Sequence, residues 1–171
     1  MNWDYYKMHN VYLLLGSNRG NKTLLLEKAV ERLNSISLMP VISSSLFESE
    51  PWGFNANEWF LNKAVLIETD LSPEVLLSQI LNIEKELGRV RGNMKEGYES
   101  REIDIDILLY DNLVHESEIL SIPHPRMHLR KFVLEPLMEI APNIVHPLFG
   151  KTIKELYKIC PDKSVVKMKK L

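Results

Sequence analysis

Between Ile103 and Ile107 the chain alternates with a period of two: Ile103, Ile105 and Ile107 are interleaved with Asp104 and Asp106. That period belongs to a half-buried β-strand and not to a helix, whose faces repeat every 3.6 residues. On a strand, the isoleucines go to one face and the two carboxylates to the other, with their Cα atoms about 6.5 Å apart. Two carboxylates at that spacing repel each other unless something positive lies between them. A hard divalent cation such as Mg²⁺ takes oxygen ligands and bridges carboxylates to phosphate groups. Arg101, three residues before the pair, offers a planar donor fork suited to phosphate, and Arg89 and Arg91 stand upstream. The plainer alternative is an edge strand with a solvated acidic face that Arg101 balances. Spacing alone leaves both open.

The totals narrow the setting. A chain of 171 residues, 45% hydrophobic and 26% charged, suits a single domain with a substantial core. We expect one domain over residues 10–160, with extensions at 1–9 and 161–171. A formal net charge of -2 gives no basic field of the kind that draws a protein onto nucleic acid. A single cysteine, Cys160, rules out a disulfide framework or a cysteine zinc cluster within the chain and fits a reducing, cytoplasmic setting. The start lacks a basic segment followed by an apolar run, and no stretch of about 18 apolar residues occurs, so neither a signal peptide nor a membrane span is expected. The basic end, Lys167-Met168-Lys169-Lys170-Leu171, reads as a solvated terminus.

In chain order, Val11–Leu15 reads as a buried strand that stops at the turn cluster Gly16-Ser17-Asn18-Arg19-Gly20. An amphipathic helix over 22–35 follows, with Asn21 as its cap. Strand, glycine, helix invites a phosphate-loop reading, but the Gly-Lys-Ser/Thr signature and the three-glycine fingerprint are both missing. Residues 41–49 read as a second strand, broken by Pro51-Trp52-Gly53. Phe60–Thr69 is a third, placing Phe60 and Asn62 on one face: an aromatic plate beside an amide that can donate and accept. Ser72-Pro73-Glu74 opens a second helix with a capping hydroxyl, a first-position proline and an early acid, and Gly88 stops it. A loop of about fifteen residues then leads to the Asp-x-Asp strand, long enough to suggest a lid or binding loop. Beyond Tyr110, His124, Arg126, His128, Arg130 and Lys131 form a cationic cluster, which could also be a solvated basic loop. Short helices are expected at 133–141 and 153–159.

Strand-helix-strand, repeated, is the ferredoxin-like βαββαβ arrangement: an α+β fold with an antiparallel sheet, helices on one face, and C-terminal helical extras.

Taken together, these residues resemble the 6-hydroxymethyl-7,8-dihydropterin pyrophosphokinase family. The likeness runs from about Val11 to about Tyr157. It is carried by Gly16-Ser17-Asn18, Pro51-Trp52-Gly53, Phe60-Leu61-Asn62, Glu84 with Gly88-Arg89-Val90-Arg91, the run Arg101–Leu108, Pro123-His124, and Arg130-Lys131-Phe132. The order Arg-x-x-Asp-x-Asp, then Pro-His, then Arg-x-Phe is its most specific part. The resemblance implies transfer of a diphosphoryl group from ATP to the pterin hydroxymethyl oxygen, releasing AMP. It implies two Mg²⁺ ions on Asp104 and Asp106, with Arg89 and Arg91 as catalytic-loop arginines. Glu84, Arg101, His124 and Arg130 would contact ATP, with main-chain groups near Ile107 and Ser121 receiving adenine. Phe60 and Phe132 would sandwich the pterin, with Asn62 reading its edge beside Ser49 and Trp52. A monomer acting on small molecules, with no nucleic acid or membrane partner, completes the expectation.

The chain departs from the family where many members carry Trp-Gly-Pro-Arg before the Asp strand; here the run is Tyr98-Glu99-Ser100-Arg101. Two other functions compete on the residues alone. One is a different Mg²⁺-dependent nucleotidyl or phosphoryl transferase on this fold, lacking a pterin slot. The other is a ferredoxin-like RNA-binding module, which the acidic balance and the carboxylate pair disfavour.

Overall fold

The computed structural model describes residues 7–51, 58–88 and 102–170. Its centre is β1 (His9–Ser17), paired antiparallel with β4 (Phe60–Thr69) on one side and β5 (Asp104–Tyr110) on the other. With both sheet faces covered, β1 can be apolar throughout. Val11, Leu13 and Leu15 enter one core, Tyr12 and Leu14 the other, and each is at most 8% exposed.

The first core lies under α1 (Lys22–Asn34) and α2 (Pro73–Glu86). Leu26, Ala29 and Leu33 of α1 and Leu76, Ile80 and Ile83 of α2 recur at helical spacing and meet Ile105 and Ile107 of β5 and Ile103 just ahead of it. Both helices start as their sequences predict. The Asn21 side chain accepts the N–H of Leu24 at 3.1 Å, and Ser72 accepts that of Val75 at 3.4 Å. Gly88, at φ +98°, takes the chain out of α2 in a conformation that a side chain would strain.

The expected strand over 41–49 is two short ones, β2 (Ile42–Ser43) and β3 (Phe47–Ser49), both on β4. The serines divide it. The Ser44 hydroxyl accepts the N–H of Ala64 at 3.0 Å in place of a main-chain carbonyl, and Ser45 turns its N–H to the Glu139 carboxylate at 2.9 Å.

After β5 come a two-stranded ladder, β6 (His115–Glu116) with β7 (Ser121–Ile122), and a single 3₁₀ turn, Met127–Leu129. Then follow α3 (Lys131–Ile140) and α4 (Ile153–Ile159). Helix α4 carries a full capping box, Thr152 with Glu155. Helices α3 and α4 cover the second sheet face through Val133, Leu134, Leu137, Ile153 and Leu156. The basic tail, expected to be solvated, returns to the sheet as β8 (Val166–Met168) beside β3.

The strand order is β5-β1-β4-β3-β8. Its first four members, taken by chain position, follow the fourth-first-third-second order of a ferredoxin-like sheet, and every pair is antiparallel. The α+β expectation therefore holds, with α1 and α2 on one face and the C-terminal helices on the other. One irregularity interrupts the ladder. Leu13 faces Ile107 and Tyr12 faces Leu109, so Leu108 is an extra residue, a β-bulge. It lets Leu108 and Leu109 both face the α3 core, while Tyr110 swings back toward α2.

Candidate active site

Asp104 and Asp106 lie on the face of β5 that looks toward α3, opposite the buried isoleucines. Ladder register places their neighbours. Asp104, Gly16, Asn62 and Phe47 form one row across β5, β1, β4 and β3; Asp106, Leu14 and Ala64 form the next. Ser49 opposes Phe60 one step beyond Asn62 on the same face. With strands about 4.8 Å apart, Asp104 and Asn62 stand roughly 10 Å from each other across a floor made by Gly16. A Cβ at Gly16 would come within 3.3 Å of the Asn62 amide oxygen, so the missing side chain keeps that floor low. Gly16 was not among the expected site residues; its sequence signals are its place in the turn cluster that ends the first strand and in the Gly16-Ser17-Asn18 segment of the resemblance.

The amide end is rigid. Asn62 is 2% exposed and Ser49 1%, and the Asn62 Nδ2 donates to the Ser49 hydroxyl at 2.7 Å. The same Nδ2 reaches the Phe47 carbonyl at 3.5 Å; a carbonyl can only accept, so this contact, and not the two-way Ser49 hydroxyl, gives the amide its direction. Phe60 opens β4 half-buried, and Phe132 sits half-buried in the first turn of α3 on the same side of the sheet. The Arg130 guanidinium lies 5.7 Å from the centre of the Phe132 ring.

The cationic cluster divides under tertiary structure. Arg130, just ahead of α3, is 7% exposed and so is no part of a solvated loop. His124 is tied to β5 by its own N–H, which donates to the Leu108 carbonyl at 2.9 Å. Burial, first, and then the Arg130 charge push the His124 pKa down to about 4, against the opposing pull of Asp104. By sequence His124 falls among the cations; at neutral pH it is a neutral imidazole. Its Nδ1 accepts the Arg126 N–H at 3.2 Å, so the ring proton is on Nε2, leaving a neutral N–H donor in the site.

The remaining expected residues fall as follows. Glu84 is 2% exposed, and its Oε1 accepts the N–H of Ile105 at 2.8 Å, between the two aspartates in sequence. Its observed partner is thus the outer edge of β5. Ile107 is a buried β5 residue, and Ser121, in the neighbouring β7, donates its hydroxyl to Glu116 at 2.8 Å. Ser17, fully buried, donates to the Glu102 carbonyl and so pins the approach to β5 against β1. Trp52, Arg89, Arg91 and Arg101 lie outside the described residues.

Among the described residues no cluster of three or more His, Cys, Asp or Glu could close a protein-only metal site. Two half-buried carboxylates on one strand face do fit Mg²⁺, which takes one or two carboxylates and fills its remaining positions with water and phosphate oxygens. The face therefore offers oxygen donors at one end, a planar amide and aromatic rings at the other, and positive charge from Arg130 over it.

Comparison with known proteins points the same way. Residues 12–142 match the family model for 7,8-dihydro-6-hydroxymethylpterin-pyrophosphokinase. A 2-amino-4-hydroxy-6-hydroxymethyldihydropteridine pyrophosphokinase of Aquifex aeolicus is 43% identical over 148 residues, covering 86% of this chain and 90% of that one. The Methylorubrum extorquens protein of the same name is 43% identical over 157 residues, 91% and 96% of the two chains. The folic acid synthesis protein fol1 of Pneumocystis carinii is 39% identical over 168 residues, which is 95% of this chain but 22% of that longer protein. Among solved structures, wild-type Plasmodium falciparum HPPK-DHPS with pteroate superposes with a TM-score of 0.69 at 18% identity, over 89% of this chain and 44% of that one. At that identity the likeness concerns the fold.

Proposed function

The chain belongs to the 7,8-dihydro-6-hydroxymethylpterin-pyrophosphokinase family, and from that premise we propose how its own residues divide the work. The protein is a pyrophosphokinase of folate biosynthesis. It transfers diphosphate from ATP to the hydroxymethyl group of 6-hydroxymethyl-7,8-dihydropterin, giving AMP and the pterin diphosphate. In that reaction the hydroxymethyl oxygen bonds to the β-phosphorus of ATP, the bond from that phosphorus to the α–β bridging oxygen breaks, and the hydroxyl proton is released.

Such transfers depend on placement and on neutralising charge more than on covalent help from the protein. The observation that carries the assignment is the shared sheet face: Asp104 and Asp106 at one end, Asn62, Ser49 and Phe60 at the other, with Gly16 clear between them. Asp104 and Asp106 would hold two Mg²⁺ ions. Bound there, Mg²⁺ supplies neutralisation of the triphosphate charge and a template for in-line geometry. Arg130 adds fixed positive charge, and the neutral His124 donates its Nε2–H to a phosphate oxygen, with Arg101, Arg89 and Arg91 completing the phosphate side. The buried Glu84 acts on the ATP side by holding the edge of β5, the strand that carries both aspartates. Main-chain groups near Ile107 and Ser121 receive adenine. Phe60 and Phe132 stack on the two pterin faces, while Asn62, held by Ser49 and assisted by Trp52, reads the ring edge.

We further take the protein as a cytoplasmic monomer. It draws on ATP, its one cysteine is a buried free thiol, and no helix among the described residues is long and apolar enough to cross a membrane.

The test is product identity. Purified protein with ATP, Mg²⁺ and the hydroxymethyl pterin should yield AMP only when the pterin is present. ADP as product would mean transfer of a single phosphoryl group and would overturn the reading.

A further inference from the structure

The C-terminal tail folds back onto the wall of the proposed pterin slot. In β8, Met168, Lys167 and Val166 oppose Phe47, Glu48 and Ser49 of β3. Main-chain bonds extend the contact at both ends: Lys169 N–H donates to Leu46 at 2.8 Å, and Glu50 N–H to Val165 at 3.3 Å. The Glu50 carboxylate accepts the Val165 N–H at 3.3 Å. Strand β3 is only three residues long and ends on Ser49, the partner of the Asn62 amide. So short a strand holds poorly with one neighbour and better with two.

Alternation turns Lys167 to the side of Glu48 and Leu61, away from the slot. There its ammonium lies 5.0 Å from the centre of the Trp59 ring and 3.9 Å from a Glu48 carboxylate oxygen. Trp59 directly precedes Phe60, and its carbonyl accepts the Lys22 ammonium at 2.9 Å. Two lysines, Lys22 at the start of α1 and Lys167 of β8, therefore grip the residue that leads into β4.

We infer that β8, acting through Lys167, is a positioning element for the pterin slot. It holds Ser49 and the start of β4 in place, so the Asn62 amide and the Phe60 ring are set before the substrate arrives. Lys167 touches neither substrate; it acts through Trp59 and β3. A wall fixed in advance spares the substrate the cost of ordering it on binding. The inference rests on the reading that Phe60, Asn62 and Ser49 hold the pterin.

The experiment measures pterin affinity at saturating non-hydrolysable ATP analogue with Mg²⁺, and separately the affinity for the analogue alone. Lys167→Met should weaken pterin binding about threefold, the scale of an exposed cation–π contact, while Lys167→Arg, which keeps the cation, should stay near wild type. Ending the chain after Lys163 removes β8 and should weaken pterin binding about tenfold, with analogue affinity within about twofold of wild type. Unchanged pterin affinity in the shortened chain would overturn the inference. So would a parallel loss for both ligands, which would mark β8 as general scaffolding. Phe60→Ala in the same assay separates the two levels. If it weakens pterin binding and the β8 variants do not, the slot stands and the inference fails. If it has no effect, the slot reading fails and the inference falls with it.

Discussion

Acid should destabilise this fold through His146. The residue is 1% exposed, and its ring stacks on Phe149 at 4.5 Å between centroids. Its Nδ1 accepts the N–H of Leu148 at 3.2 Å, which puts the ring proton on Nε2. Burial, and after it the nearby His128, push its pKa from 6.5 down to about 4. A folded pKa below the unfolded value means that the unfolded chain takes up the proton first. The stability is fully present above pH 6.5 and is lost as pH falls toward 4. For this one group the loss between pH 8 and pH 5 works out at about 2 kcal/mol. The assay is urea unfolding at pH 8, 6.5 and 5 for the wild type and for His146→Asn, whose amide oxygen can keep the Leu148 bond but cannot titrate. The variant will be weaker at every pH for want of the ring. The gap should nonetheless narrow by about 2 kcal/mol from pH 8 to pH 5, because His124, also lowered to about 4, titrates in both proteins and cancels. A gap that stays constant would mean that His146 takes up its proton alike in the folded and unfolded chain, and the predicted acid loss would be wrong.

Three further outcomes follow from the site. Asp104→Ala and Asp106→Ala should each cut turnover about a hundredfold or more with the fold intact by circular dichroism, and near-normal rates in both would remove the metal assignment. Chelation with EDTA should abolish turnover and added Mg²⁺ restore it. Phe60→Ala or Phe132→Ala should weaken pterin binding about tenfold by calorimetry while ATP-analogue binding changes little; equal losses would argue against ring stacking.

What could be read in the sequence was local. The two-residue period of Ile103–Ile107, the caps at Asn21 and Ser72, and the stop at Gly88 all depend on neighbours a few positions away, and each element formed where they put it. The shared face of Phe60 and Asn62, and of Asp104 with Asp106, follows from strand parity alone. What escaped was set across the sheet. Nothing near Ser44 reveals that its hydroxyl will replace a ladder carbonyl for Ala64. A tail bearing Lys167, Lys169 and Lys170 carries no strand signal of its own; it is ordered by the open edge of β3. His124 and Arg130 read as exposed cations because a basic run gives no sign that it will pack back against the sheet, as the His124 bond to Leu108 of β5 makes it do. The joining of Asp104 to Asn62 through Gly16 is likewise a matter of register, and the resemblance could name the residues but not their row.

The bulge at Leu108 has a further consequence. Removing that one residue would leave Leu13 facing Ile107, Tyr12 facing Leu109 and Val11 facing Tyr110, a flawless ladder with every other side chain on its present face. The sheet would be more regular, yet the carbonyl that receives the His124 N–H would be gone. Leu108 is thus a mooring post: the strand carries one residue more than its own pairing needs, and that surplus ties the His124 segment to the edge that bears the aspartates. A sequence drifting toward a tidier strand would keep the architecture and lose that tie to the His124 segment.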